Sequence, residues 1–174
     1  FCSIPGENSM TISRRQFVGS VAGAGIASMA APNLVFAQNS GPVRVGLLAA
    51  KTGPLASGGI DMELALTMFL KERDNTLAGR KVELIVADTA GVPATARTKT
   101  QELIEKNGIH CVIGPLAAFE ALAIADYLTE KEIPTLGVAA AEDMTQRHPS
   151  LWFVRLTSTS AQCAYPLAEY SAKD

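Results

Sequence analysis

Val43-Arg44-Val45-Gly46-Leu47-Leu48-Ala49 is a short apolar run closed off by Gly41-Pro42 before it and Thr52-Gly53-Pro54 after it. A run this uniformly apolar, between turn residues and too short for a helix, reads as a parallel strand covered on both faces. The segments that follow repeat the theme. Asp61 to Arg73 carries Leu64, Met68 and the Leu66/Phe69/Leu70 group at helical spacing, and Asn75 to Gly79 turns the chain. Lys81 to Ala87 is a second strand, ending at Asp88. Pro93 opens a helix whose Ala96, Thr100, Leu103 and Ile104 share one face, and Asn107-Gly108 closes it.

Ile109 to Ile113 is a third strand, broken by Gly114-Pro115. Phe119 to Lys131 is a third helix, with Leu122, Ala125 and Leu128 expected to face inward. Ile133 to Val138 is a fourth strand. A polar turn from Glu142 to Pro149 leads to a short strand within Leu151–Leu156, and Thr159 to Lys173 reads as a helix. This βαβαβαβ rhythm predicts an α/β fold: a three-layer αβα, doubly wound parallel sheet with helices on both faces. In such a sheet ligands bind beyond the carboxyl ends of the strands. That selects the loops Ala50–Gly59, Asp88–Val92, Gly114–Phe119 and Ala139–Asp143.

The N-terminal part reads as an address. Arg14-Arg15-Gln16-Phe17 precedes a glycine-rich, mildly apolar run from Val18 to Ala31, and Val35-Phe36-Ala37 supplies a cleavage pattern before Gln38. We therefore expect residues 1–37 to be upstream residues and a twin-arginine-like signal peptide, with Met10 the start, and residues 38–174 to be the folded part. The expected location is periplasmic, with no integral membrane segment after cleavage.

The chain of 174 residues is 48% hydrophobic, which excludes a disordered protein, and its net charge of −2 without a basic block excludes a nucleic-acid footprint. The three cysteines do not form a framework: Cys2 precedes the folded part, and Cys111 and Cys163 read as buried or half-buried free thiols. No P-loop, nucleophile elbow, HExxH or CxxC is present, so the reading is a binding protein rather than an enzyme, without cofactor or metal. His110 is expected at the strand end away from the crevice and His148 in solvent. Asp88 can orient a ligand or cap its own loop. Lys51 is a cation in the first crevice loop that can pair with an anion or with water.

These segments resemble a family. Val45-Gly46-Leu47-Leu48 with Thr52-Gly53-Pro54-Leu55-Ala56, Leu77 to Leu84, Asp88 to Pro93, Val112-Ile113-Gly114-Pro115, Ile133-Pro134 with Val138 to Ala141, and Trp152-Phe153-Val154-Arg155 are similar to type I periplasmic solute-binding proteins. The leucine-binding-protein group, which serves ABC importers, is the most similar branch. The resemblance implies the N-terminal lobe of a two-lobe fold, with a second lobe missing from residues 38–174. It implies capture of branched-chain amino acids or related small organic solutes by hinge closure, with an ABC transporter permease as partner.

The resemblance also places the ligand at Thr52, Ala117, Ala118, Phe119, Ala139, Ala140 and Ala141, several acting through backbone groups. The family's amino-acid site has hydroxyls where this chain has Ala118 and Ala141, and a carbonyl at the place of Ala139. An aromatic residue is replaced by Gly58, and a disulfide pair by Gly91 and Ala117. These departures weaken an amino-acid clamp and point toward aromatic or other organic carboxylates, or amides. The alternatives are an exported Rossmann-type oxidoreductase, against which stands the absence of GxGxxG after the first strand, and a ligand-sensing domain of the same fold.

Overall fold

The computed structural model describes residues 41–172. The signal-peptide reading and Cys2 lie outside the described residues. Strands and helices alternate as β1 (Val43–Ala49), α1 (Ala56–Lys71), β2 (Thr76–Leu77), β3 (Arg80–Asp88), α2 (Pro93–Glu105), β4 (Cys111–Ile113), α3 (Ala118–Glu130), β5 (Thr135–Gly137), a 3-10 turn (Glu142–Met144), β6 (Phe153–Arg155) and α4 (Ser160–Ser171).

They build one sheet in the order β2-β3-β1-β4-β5-β6. All pairs are parallel except the edge pair β2–β3. The chain leaves β1 toward one edge and returns past it to β4. Because parallel crossovers are right-handed, this reversal puts α1 on one face and α2 with α3 on the other. The expected doubly wound α/β fold is present.

The antiparallel edge was read as a plain turn. Ala78 (φ 47°) and Gly79 (φ 76°) both take the left-handed conformation. Two such residues make the tight turn whose twist suits a hairpin. Thr76 and Leu77 therefore pair back on Lys81 and Arg80.

The core on the α2/α3 face joins Leu48 of β1, Ala87 of β3 and Val112 of β4 to Ala96, Leu103, Ile124 and Leu128. The predicted face of α2 is right: Ala96, Thr100 and Leu103 are buried, and Ile104 packs against them. On α3 the inward set differs from expectation. Ala121, Ile124, Tyr127 and Leu128 are buried, whereas Leu122 is 45% exposed.

α1 starts at Ala56 rather than Asp61, and its Leu64 and Met68 stand in solvent. Only Gly59 and Leu70 are buried. Gly59 lies so close to the Ala50 carbonyl that a Cβ there would collide with it. The helix is seated on this small residue, and its larger apolar side chains turn outward. α4 has no buried residue at all, although Thr159 and Gln162 close a capping box at its start. Cys163 on this helix is exposed, correcting the expectation of a covered thiol, while Cys111 is half-buried and its thiol pKa is pushed up by burial. Among the described residues, no helix is long and apolar enough to cross a membrane.

Candidate functional site

Because β1, β3, β4 and β5 run in one direction, their last residues Ala49, Asp88, Ile113 and Gly137 come to one edge of the sheet. The loops after them share that edge. A Cβ on Gly58, in the first turns of α1, would fall 2.7 Å from the Leu116 side chain of the loop after β4. Gly114 has φ +95° and lies against the Leu48 carbonyl, where no side chain fits.

Asp88 ties two of the loops together. Its carboxylate accepts the Lys51 N–H (2.8 Å), the Ala90 N–H (2.8 Å) and the Thr52 hydroxyl (3.0 Å). Burial pushes its pKa up, but the bonds from Ala90, Lys51 and Thr52 together outweigh burial and hold it below the ordinary value. Of the two roles open to Asp88, the structure displays loop bracing. Thr52 is at the crevice edge with its hydroxyl proton given to Asp88. Lys51 Nζ pairs with Glu63 at 2.8 Å.

The N-terminus of α3 opens onto the same edge. Its N-cap, Ala117, is buried and offers no side-chain acceptor. The first N–H bonded within the helix belongs to Ala121, which donates to the Ala117 carbonyl. The N–H groups of Ala118, Phe119 and Glu120 have no described partner, as at any uncapped helix start. Ala118 is half-buried, and Phe119 is 51% exposed beside it. α1 and α2, which also start at this edge, have Leu55 and Val92 as N-caps and no side-chain cap either.

The loop after β5 has the opposite polarity on its carbonyl side. The Gly137 carbonyl accepts from Leu156 N–H, Val138 from the Thr157 hydroxyl, and Ala140 from Ser160 N–H. The carbonyls of Ala139 and Ala141 both accept from the guanidinium of Arg155, which also donates to Thr145 Oγ1 at 3.0 Å. The Ala139 carbonyl that the resemblance offers to a ligand ammonium is thus already engaged. The N–H groups of Ala139, Ala140 and Ala141 donate to no described partner. The edge presents donors and, behind them, a fixed positive charge.

The structure places two charged side chains near this edge in settings that the sequence reading did not anticipate. Arg155 was read only as part of a family-like strand, although it is the one charge in the apolar segment Leu151–Leu156. Glu120 is fully buried, and neither carboxylate oxygen has a hydrogen-bond partner among the described residues; its place just after the Gly114–Phe119 loop was legible in the sequence, and its burial was not. The histidines stand where expected: His110 accepts the Arg44 N–H at 3.0 Å at the far end of the sheet, and His148 is exposed. Among the described residues, no three His, Cys, Asp or Glu side chains gather as a metal site would require.

The profile of a family described as periplasmic binding proteins matches residues 42–174. The Leu/Ile/Val-binding protein homolog 6 of Brucella abortus is 26% identical over 128 residues, covering 72% of this chain and 32% of that protein. Among solved structures, an ABC transporter substrate-binding protein from Sphaerobacter thermophilus is 33% identical with a TM-score of 0.68, covering 76% of this chain and 36% of that one. The solute-binding protein of an ABC transporter from Rhodopseudomonas palustris, solved with 3,4-dihydroxybenzoic acid, is 31% identical with a TM-score of 0.70, covering 76% and 36%. The chain thus spans about a third of the length of the relatives it matches.

Proposed function

The chain belongs to the periplasmic binding protein family, and on that premise we propose that residues 38–174 are the first lobe of a receptor that captures a small organic carboxylate for an ABC importer. The observation that carries this reading is the polarity of the crevice edge. N–H groups at the start of α3 and in Ala139–Ala141 have no partner among the described residues, while every carbonyl from Gly137 to Ala141 already accepts a bond.

Such an edge binds an anion through backbone donors. It offers little to an ammonium group, because the acceptor carbonyls are engaged by N–H and hydroxyl donors and by a guanidinium. With Ala118 and Ala141 in place of hydroxyl residues, a ligand without an α-ammonium fits better than leucine. The relative from Rhodopseudomonas palustris, which holds 3,4-dihydroxybenzoic acid, supports an aromatic acid. Phe119, half-exposed next to the donors, supplies an apolar wall for its ring.

In this reading the ligand bridges the lobe described here and a second lobe, and closure shifts an open–closed equilibrium that a permease reads. Residues 1–37 direct export and are removed, and the receptor works in the periplasm. N-terminal sequencing of the exported protein tests cleavage after Ala37.

Calorimetric titration of the full-length protein with benzoate, 4-hydroxybenzoate, 3,4-dihydroxybenzoate, benzamide and leucine tests the ligand class. At least one aromatic acid binds, and it binds at least tenfold tighter than leucine. Tighter binding of leucine than of every acid overturns the carboxylate reading, and turnover of any ligand overturns the receptor reading.

A further inference from the structure

A second cavity, of about 160 Å3, lies between α3 and the segment joining β5 to β6, and it shares no lining residue with the crevice site. Its origin is topological. Parallel strands are usually joined by a crossover of helical length. Here the connection contains a single 3-10 turn, Glu142–Met144. Among the described residues, no helix fills the space on the side of α3 away from α2.

The floor is apolar: Leu128 and Met144 are buried there, with Trp152 and Phe153 half-buried around them. The polar groups at the mouth divide into spent and unspent, the exposed His148 imidazole being among those with no bond to a described residue. Thr129 and Ser150 hydroxyls bond to each other at 2.8 Å, and Asp143 is paired with Arg147 at 3.2 Å. The carboxylate of Asp126, exposed at the mouth, has no hydrogen bond or ion pair with any described residue.

The volume is close to that of an engineered apolar cavity of about 150 Å3 that takes up benzene. A single aromatic ring therefore fits the floor, in contact with Trp152, Phe153 and the Met144 sulfur. An unpaired carboxylate at the rim selects a cationic donor and repels an anion.

We propose that this cavity binds a monocyclic aromatic ammonium compound, with its ring among Leu128, Met144, Trp152 and Phe153 and its ammonium group on Asp126. The site has the opposite charge preference to the crevice and is independent of the crevice reading. Met144 also packs with Ala121 and Ala139, so the cavity and the crevice loop share a wall.

Trp152 is the only tryptophan of the chain, so its fluorescence reports on this cavity directly. Titrating the full-length protein with benzylamine gives a saturable change in Trp152 emission, with a midpoint of about 1 mM for a ligand of this size. Benzoate at equal concentration does not compete with benzylamine for this cavity. Ala125→Leu, which fills the cavity, weakens binding at least tenfold. Asp126→Asn, at an exposed position that leaves folding intact, weakens it at least fivefold. A non-saturating response, competition by benzoate, or an unchanged titration in either folded variant overturns the proposal.

Discussion

The guanidinium of Arg155 donates to the carbonyl oxygen of Ala139, sixteen residues earlier in the chain, and through its other terminal nitrogen to Ala141. One side chain at the end of β6 thereby sets both the shape and the polarity of the loop after β5. Shape follows because two carbonyls are pinned to a rigid planar fork. Polarity follows because those carbonyls are turned toward Arg155, leaving the loop's N–H groups without a described partner.

Arg155→Met keeps much of the side chain's bulk and removes these bonds. Charge-assisted bonds of this kind contribute about 1.5–3 kcal/mol each, so we expect a loss of about 2–4 kcal/mol after partial relaxation. Urea denaturation reads the loss, and titration with the best aromatic acid reads a weakening of at least tenfold. Wild-type affinity in a folded Arg155→Met protein would show that the loop's orientation does not depend on this contact.

The pair Ala118→Ser and Ala141→Thr restores the two hydroxyls that the resemblance places around an amino-acid ligand. Leucine affinity should rise at least tenfold in the double variant, while affinity for benzoate-like acids stays within about threefold. Each new hydroxyl bond is worth roughly 1 kcal/mol net. No gain for leucine would show that the engaged carbonyls, rather than the missing hydroxyls, decide the selectivity.

Asp88 links acid stability to the site. Its folded pKa lies below the ordinary carboxylate value of about 3.9 because three donors from two loops hold its charged form. The stabilisation is therefore fully present above that unfolded value and is lost as pH falls through the folded one. Asp88→Asn should be less stable than wild type at pH 7 and should lose less stability on acidification. Chemical denaturation between about pH 7 and pH 3 measures both, and parallel acid limbs would remove Asp88 from the account.

Glu120 is the opposite case, a fully buried carboxylate with no bond to either oxygen. Burial without partners is costly. Glu120→Met, which keeps the length of the side chain and removes the unpartnered polar atoms, should raise stability by about 1–3 kcal/mol, seen as a higher urea midpoint at unchanged slope. A lower midpoint would mean that the carboxylate has a partner in solution.

Much of this was legible along the chain, element by element. β1, β3 and α2 are local patterns: apolar runs between turn residues, and Pro93 ahead of a periodic face. The edges of elements were less legible. α1 begins five residues early because the loop closes on Gly59, a fit that depends on the Ala50 carbonyl beside it. Leu122 has the spacing of a buried residue on α3, yet no crossover helix arrives to cover it, and it lines the cavity instead.

The order of strands and breaks, and the small, chemically quiet residues at the strand ends, were present in the amino-acid sequence, since hydrophobic period and turn chemistry act over a few residues. They were sufficient to anticipate the family and the edge on which the strand-end loops gather. Only the folded arrangement decided how that edge is charged. Arg155 meets Ala139 and Ala141, and Asp88 meets Lys51 and Thr52, across separations of 14 to 37 residues. Which carbonyls are spent and which N–H groups remain follows from pairing between distant segments, and no local pattern records it.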